Sequence, residues 1–178
     1  EADTVLLDNR GGARRAVEHL IAHGHERIAC VADAAQLYTA RERLAGYHEA
    51  LGGAGIAADE LLVASGNRDS DAASTAVAQL MRLPSGRGPS AIFAANNRNT
   101  VGALRALAAC PRPPALVGFD DFELADLLGT TVVRADPWRL GEQGAALAFA
   151  RLDGDARPAQ RIVVPTELIP RGSGEVRA

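Results

Sequence analysis

Residues 91–121, AIFAANNRNTVGALRALAACPRPPALVGFDD, carry the pattern that decides the fold. An apolar run at 91–94 is followed by a helix-like stretch that begins at Asn97, and a second apolar run lies at 115–118. Short apolar runs separated by helical stretches are typical of βαβ units, in which the two strands are parallel. We therefore predict an α/β protein with a parallel sheet that helices cover on both faces.

The same alternation extends from this segment to both ends of the chain. The predicted strands are Thr4–Leu7, Arg27–Ala32, Leu61–Ala64, Ala91–Ala94, Ala115–Gly118, Thr131–Arg134 and Arg161–Leu168. The predicted helices are Gly12–His23, Thr39–Gly53, Asp71–Arg82, Asn97–Ala109, Phe122–Leu128 and Pro137–Leu152. Helix ends are marked by Gly24, a residue typical of C-caps, and by Asp136 before Pro137, which is typical of an N-terminus.

Composition indicates a globular protein without a nucleic-acid surface of its own. The 178 residues are 47% hydrophobic and 23% charged, and the net charge is −3. The basic residues are 19 scattered arginines, whereas a DNA-binding domain usually has a basic patch. Cys30 and Cys110 suggest no disulfide framework, and there is no apolar run long enough to span a bilayer. We expect a cytoplasmic location, and because Glu1 is not Met we expect a fragment or processed product.

Polar residues follow most of the predicted strands. They are Asp8 and Asn9, Asp33, the Ser65–Arg68 segment, Asn96 and Asn97, Asp120 and Asp121, and Arg134 with Asp136. Ligands of parallel α/β sheets bind beyond the carboxyl ends of the strands, so these groups are expected to converge at one edge. Such a ring of carboxylates, amides and guanidinium groups suits a small ligand rich in hydroxyls.

The same residues also serve as ordinary helix caps and turn formers. Capping is at least as good an explanation as ligand contact for Asp8, Asn9, Asp33, Asn97 and Asp121. For Asn96 and Asp120 we favour ligand contact, because each is followed by a second residue that can cap instead.

Arg43 lies near the start of a predicted helix, where a cation opposes the helix dipole. A strongly polar or anionic group is therefore expected to face it. An equally good explanation at this stage is a surface ion pair with Glu42 or Glu49.

The sequence lacks the motifs of the common enzyme classes. It contains no Gly-x-Gly-x-x-Gly after a strand, no phosphate loop and no Gly-x-Ser-x-Gly elbow. His19, His23 and His25 could suggest a metal site, but a helix surface that ends in His-Gly-His is the simpler interpretation. We predict no enzyme activity, no catalytic residues, no metal and no cofactor.

An ordered series of segments resembles the effector domain of the LacI/GalR family of transcription regulators. The segments are Val5–Asn9, Gly12–Leu20, Gly24–Ala29, Arg43–Tyr47, Ala91–Asn97, Val117–Asp121 and Pro165–Ser173. The resemblance implies a periplasmic-binding-protein-like fold of type I, in which a small effector binds between two lobes of parallel sheet flanked by helices. It also implies a homodimer, and a DNA-binding helix-turn-helix domain that should precede Glu1.

The resemblance further implies how the chain is divided between the lobes. Residues 1–24 are expected to be a remnant of an incomplete first lobe, and 25–131 to form the second lobe. Residues 132–153 would return to the first lobe, and 154–178 would supply the terminal strand of the second lobe and a tail.

By the same resemblance, Arg43 corresponds to the family arginine that binds effector oxygens. Asn96 and Asp120 correspond to its polar effector contacts, and Thr39 to a hydroxyl near the ligand. Arg68 stands where the family often has an aromatic residue that stacks on a sugar, which suggests a sugar acid or phosphate unless Arg68 faces solvent. We also include Asp8, at the end of the first strand, among the candidate ligand-binding residues.

This sequence departs from the family pattern at two further positions. Asn97 stands where the family usually has an aspartate, and Ala135 stands where it frequently has a polar residue in the return crossover.

A solute-binding protein of a sugar transporter would share the fold and the polar strand ends. The segments Gly24–Ala29 and Pro165–Ile169 favour the regulator.

Overall fold

The computed structural model describes residues 2–178. Its strands are β1 (Thr4–Leu7), β2 (Ile28–Val31), β3 (Val63–Ala64), β4 (Ala91–Ala94), β5 (Ala115–Phe119), β6 (Thr131–Ala135), β7 (Arg161–Val164) and β8 (Thr166–Ile169). Its α-helices are α1 (Asn9–Ala22), α2 (Tyr38–Gly53), α3 (Ser70–Leu80), α4 (Asn97–Leu107) and α5 (Pro137–Leu152). Among the described residues, no helix combines the length and apolarity needed to cross a membrane.

Six strands form one sheet in the order β3-β2-β4-β5-β6-β8. The first five are parallel, and β8 pairs antiparallel with β6 at the edge. The central strands β2, β4 and β5 are buried along their whole length, as expected for a parallel sheet that is covered on both faces. The prediction of an α/β protein with a parallel-dominated sheet is confirmed.

Alternate residues of the central strands point into two separate cores. Cys30, Phe93 and Val117 belong to the core under α1 and α2, whereas Ile92 and Leu116 belong to the core under α3 and α4. This period of two explains why the strands are apolar at every position, because both of their faces are buried. Burial also raises the pKa of the Cys30 thiol to about 12, so Cys30 behaves as a small apolar residue.

The remaining strands form a small second unit. β1 and β7 make a parallel pair, and α5 packs against both strands. Arg151 on α5 donates to both carboxylate oxygens of Asp3, at 2.7 and 2.8 Å, which ties the helix to the start of β1. None of the residues of α5 is fully buried.

The two units divide the chain differently from the predicted lobes. Helix α1 was expected in the first-lobe remnant 1–24, but it packs against α2 and the large sheet. The reason is its apolar stripe of Ala13, Ala16, Val17 and Leu20, which is completely buried in that core. Of the predicted remnant, β1 alone is paired in the small sheet.

The later predicted boundaries also shift. The segment 132–153 was expected to return to the first lobe, but β6 stays in the large sheet as far as Ala135, and α5 is the part that joins the small unit. The predicted strand Arg161–Leu168 is two strands, because the chain passes from the small sheet to the large one at Pro165. Proline has no N–H to continue a strand ladder, so a change of sheet is readily accommodated there.

The predicted helix Phe122–Leu128 is a series of turns. The segment closes on itself through short-range bonds, such as those from the Ala125 N–H to the Phe122 carbonyl and from the Thr130 N–H to the Ala125 carbonyl. It ends at Gly129, which has a φ of 62°. A left-handed residue at this point stops the chain from continuing as a helix.

Candidate functional site

A polar cavity of about 270 Å³ lies at the carboxyl ends of the three central strands. It is bounded by the segments that follow β2, β4 and β5 and by the first turns of α2 and α4. The lining residues are Asp33, Leu37, Thr39, Ala40, Arg43, Ala95, Asn96, Asn97, Arg98 and Asp120. Four of the predicted ligand-binding residues, Arg43, Asn96, Asp120 and Thr39, therefore lie around one cavity.

Arg43 is the buried cation of this cavity and has no ion pair with Glu42 or Glu49 among the described residues. Its Nε donates to Asn9 Oδ1 at 2.8 Å and its Nη1 to the carbonyl of Ala95 at 2.7 Å. Burial lowers the pKa of the guanidinium, and the neighbouring carboxylate of Asp120 opposes this effect. The arginine is thus held in one orientation by four neighbours, counting the Phe119 ring on which it stacks.

Asp120 is the ion-pair partner of Arg43. Its Oδ2 accepts from Arg43 Nη1 at 2.8 Å and its Oδ1 from Nη2 at 3.3 Å. The residue has a φ of 65°, the left-handed region in which Asp is one of the tolerated residue types, and its N–H donates to the carbonyl of Val133 at 2.8 Å. This backbone turns the carboxylate back over the strand end, and one third of the side chain remains exposed to the cavity.

Asn96 has a different local role from the one predicted. It caps α4 itself, because its Oδ1 accepts from the N–H of Asn99 at 2.8 Å, whereas the Asn97 Oδ1 contacts the adjacent Arg98 N–H. The expectation that Asn97 frees Asn96 from capping is therefore wrong. The Nδ2 group of Asn96 makes no hydrogen bond to the described residues, so it can still donate into the cavity.

Two other candidates lie outside the cavity. Asp8 caps α1 by accepting from the Gly11 N–H at 2.9 Å, as its alternative interpretation as a helix cap predicted. It also pairs with Arg15 at 3.2 Å. Arg68 is exposed in the loop after β3 and does not line this cavity, which is the solvent-facing alternative.

Two further charged residues line the cavity: Asp33, which was expected at this edge but not included among the predicted ligand-binding residues, and Arg98, which was not predicted. Asp33 is 8% exposed, its Oδ1 accepts from the Ala34 N–H at 2.7 Å, and its Oδ2 lies 3.4 Å from Arg98 Nη2. The position of Asp33 after β2 was a usable signal, but a turn-forming Asp looks the same in the sequence. Arg98 gave no signal, because it approaches Asp33 only when β2 and β4 pair.

A second cavity, of about 490 Å³, lies where the chain crosses between the two sheets. Ala135, Pro137 and Thr166 are among the residues that line it. Its charged groups Arg134 and Glu167 are substantially exposed and contact each other at 3.5 Å. The buried polar side chain in its lining, Thr166, already accepts a hydrogen bond from Arg15 at 2.7 Å, and its charged lining residues are exposed. Because this lining has no buried charged group comparable to Arg43, we place the candidate site at the smaller cavity.

The histidines that could suggest a metal site, His19, His23 and His25, are bound to other groups of the protein. His25 is buried, with Nδ1 at 3.0 Å from Ser90 Oγ and Nε2 at 2.8 Å from the Val176 carbonyl. His19 Nε2 lies 2.5 Å from Glu175 Oε1, and His23 Nδ1 lies 2.8 Å from the His19 carbonyl. Within the described residues, no group of three or more His, Cys, Asp or Glu side chains is arranged to hold a metal ion.

At the carboxyl edge of its parallel sheet the domain has a buried arginine and two carboxylates, each of which pairs with an arginine. This arrangement is typical of a ligand-binding α/β domain. Residues 17–174 match the family model described as a periplasmic binding protein-like domain. The chain belongs to this family, as an effector-binding domain of the type found in LacI/GalR transcription regulators. The predicted fold class, an α/β periplasmic-binding-protein-like fold in which helices flank parallel-dominated sheets, is confirmed.

Curated relatives agree with this assignment. The chain is 37% identical over 177 residues to the HTH-type transcriptional regulator CelR of Thermobifida fusca, covering 96% of this chain and 51% of the relative. It is 31% identical to the HTH-type transcriptional repressor CytR of Escherichia coli K12, covering 97% and 52%. The chain thus spans about half the length of these relatives.

Solved structures give the same result. A CelR–cellobiose complex superposes with a TM-score of 0.88 at 36% identity, covering 97% of this chain and 54% of the other. A LacI-family sugar-binding regulator from Escherichia coli, solved with phosphate, gives a TM-score of 0.80 at 31% identity, covering 95% and 62%. These proteins are regulators, not enzymes, as predicted for this chain, and they favour a regulator over a transporter component.

Proposed function

We propose that this chain is the effector-binding part of a LacI-type transcription regulator, and that it binds a small polar ligand such as a sugar or a sugar derivative. The observation that carries the proposal is the cavity at which Arg43, Asn96, Asp120 and Thr39 meet. The 36% identical CelR structure contains cellobiose, which supports a sugar as the ligand class.

The side chains of the cavity offer a ligand both hydrogen-bond donors and hydrogen-bond acceptors. One N–H on Nη2 of Arg43 is left to donate to a ligand, because the other four bind Asn9, Ala95 and Asp120. Asp120 supplies carboxylate acceptors, while Asn96 Nδ2 and the Thr39 hydroxyl add neutral groups. Ligand hydroxyls both donate and accept, so they satisfy guanidinium and carboxylate groups together. Because Arg43 is already locked by Asn9 and Phe119, little side-chain entropy is lost when a ligand binds.

We propose that the ligand bridges this cavity and the other lobe of a two-lobed fold. A ligand that contacts both lobes favours one lobe angle, and that angle would set the spacing of two DNA-binding heads. The ligand shifts this equilibrium only by the difference between its affinities for the two states. Operator DNA would be bound through a helix-turn-helix domain outside this chain.

We further propose a cytoplasmic homodimer. The turn segment after Asp121 exposes Leu124, Leu127 and Leu128, and Leu127 is 81% exposed. Exposed apolar groups of this size are typical of association surfaces. Sedimentation over a concentration series, with Leu127→Glu as the comparison, tests this part: a monomer at every concentration would contradict the homodimer.

A calorimetric titration of the chain with cellobiose and a panel of related sugars tests the ligand proposal. Arg43→Lys removes the forked donor geometry, and we expect it to weaken binding by about tenfold or more. Arg105→Lys is the matched control, because Arg105 is exposed and pairs with Asp71 away from the cavity. A sugar that binds the Arg43→Lys variant as tightly as the unchanged chain would place its site elsewhere.

A further inference from the structure

We propose that Asp33 determines the charge of the ligand, by neutralising Arg98 so that the cavity accepts an uncharged, hydroxyl-rich molecule and excludes anions. This inference rests on the proposed function, since it concerns the same cavity. It goes further by naming the residue that separates a neutral sugar from a sugar acid or sugar phosphate.

The charges that line the cavity are balanced. Arg43 pairs with Asp120 at 2.8 Å, and Arg98 lies 3.4 Å from Asp33. The other polar side chains of the lining, Thr39, Asn96 and Asn97, are neutral. Arg68, the residue that suggested an acidic ligand in the sequence, does not line this cavity. An anion would therefore meet two carboxylates as well as two guanidinium groups.

Asp33 is the carboxylate that balances the charge of Arg98 within the cavity. Its carboxylate is almost buried, with 10% of the side chain exposed, whereas the side chain of Arg98 is 60% exposed. The Ala34 N–H holds Oδ1 at 2.7 Å, which leaves Oδ2 with the long contact to Arg98. An ionised carboxylate is an acceptor and not a donor, so Oδ2 favours a ligand that donates a hydroxyl proton.

The alternative ligand is disfavoured by the same geometry. A phosphate or carboxylate group near Arg98 would also lie near Asp33, and like charges placed side by side oppose binding. Arg98 cannot compensate fully, because its exposed guanidinium is already solvated by water. A sugar hydroxyl can donate to Asp33 and accept from Arg98 at the same time.

Inorganic phosphate is the probe that tests this inference. At fixed ionic strength, the unchanged chain is expected to show no saturable rise in melting temperature with phosphate up to millimolar concentrations. Asp33→Asn leaves the charge of Arg98 uncompensated, and we expect phosphate to bind this variant about tenfold more tightly or better. The double variant with Arg98→Ala should lose that gain.

Two variants serve as controls. Asp71→Asn removes a carboxylate that pairs with Arg105 far from the cavity, and it should gain no phosphate binding. Asp33→Ser removes the same charge as Asp33→Asn and keeps an acceptor for the Ala34 N–H, so it provides a second test if the Asn variant does not fold.

Saturable phosphate binding by the unchanged chain that Arg98→Ala abolishes would overturn the inference. A folded Asp33 variant that gains no more phosphate affinity than Asp71→Asn would overturn it as well. The phosphate result does not depend on which sugar binds. A failed sugar titration combined with a phosphate gain in Asp33→Asn therefore contradicts the proposed ligand and leaves the charge assignment supported.

Discussion

The guanidinium carbon of Arg43 lies 3.7 Å from the centroid of the Phe119 ring, and the same guanidinium donates to Asp120, the next residue along the chain. The last residue of β5 and the first residue beyond it therefore hold Arg43 from two directions. A planar guanidinium can stack on a ring and form a fork with a carboxylate at once, which an ammonium group cannot do. The arrangement explains why an arginine is used at this position.

The backbone of Asp120 gives the first prediction. Asp120→Asn keeps a residue that tolerates a φ of 65° but removes the charge that pairs with Arg43, and we expect a loss of about 1–3 kcal/mol in the free energy of unfolding. Asp120→Ala should lose roughly 1 kcal/mol more, because alanine is less stable than aspartate or asparagine in the left-handed backbone conformation. Urea denaturation of both variants measures the difference; equal stabilities would show that the backbone of Asp120 is not strained.

Gly46 gives the second prediction. A Cβ at this position would overlap the Arg10 carbonyl oxygen and lie only 3.0 Å from the Ala13 Cβ, because α1 and α2 pack closely at Gly46. Gly46→Ala is therefore expected to cost about 1–3 kcal/mol by forcing the two helices apart. On the same helix, a Cβ at Gly52 meets nothing within 4 Å.

Gly52→Ala is the matched control, and the change should have the opposite sign, a gain of about 0.5–1 kcal/mol from helix propensity. Thermal unfolding of the two variants, followed by circular dichroism, is the measurement. If both substitutions change the melting temperature in the same direction, close helix packing at Gly46 is not the cause.

The buried hydroxyl of Tyr47 gives the third prediction. It donates to the carbonyl of Ile28 at 2.8 Å, and the residue is completely buried. Tyr47→Phe leaves that carbonyl without this partner and is expected to cost about 1–2 kcal/mol. Tyr38→Phe removes an exposed contact with Arg161 and should change stability by less than about 0.5 kcal/mol. Guanidinium denaturation that ranks the two variants the other way would count against the buried bond.

The pair of Asp121 and Arg171 gives a prediction about pH. Hydrogen bonds from Nη1 and Nη2 of Arg171, each 2.8 Å long, lower the pKa of the Asp121 carboxyl. A carboxyl whose pKa is lowered by folding stabilises the protein above its unfolded pKa of about 4, and this stability is lost as the pH falls through the folded pKa. Asp121→Asn should therefore be less stable than the unchanged chain at pH 7.

The stability difference for Asp121→Asn should shrink as the pH falls below about 4. Urea midpoints between pH 3 and 7 provide the test, and Arg171→Gln should show the same pH dependence because it removes the other half of the pair. A difference that stays constant over this range would exclude Asp121 as its source.

The site illustrates how far sequence reasoning reaches. Asn96 and Asp120 were predicted because they follow apolar strands, and the parallel pairing of β4 and β5 brings both to one cavity. Asp8 follows β1 and caps α1, just as Asn96 caps α4, but Asp8 lies outside the cavity because β1 belongs to the other sheet. The sequence does not distinguish these cases, since it does not show which strands are neighbours.

The sequence by itself determined most of the helices and strands, because short apolar runs, periodic helices and caps such as Asp136 act through local backbone geometry. The change of sheet at Pro165 was not determined in this way. Tertiary structure alone decided that Arg43 pairs with Asp120 rather than with a glutamate on its own helix, and that Asp33 meets Arg98. The physical reason is distance along the chain. These partners are 77 and 65 residues apart, and they meet only when the order and register of the strands are fixed.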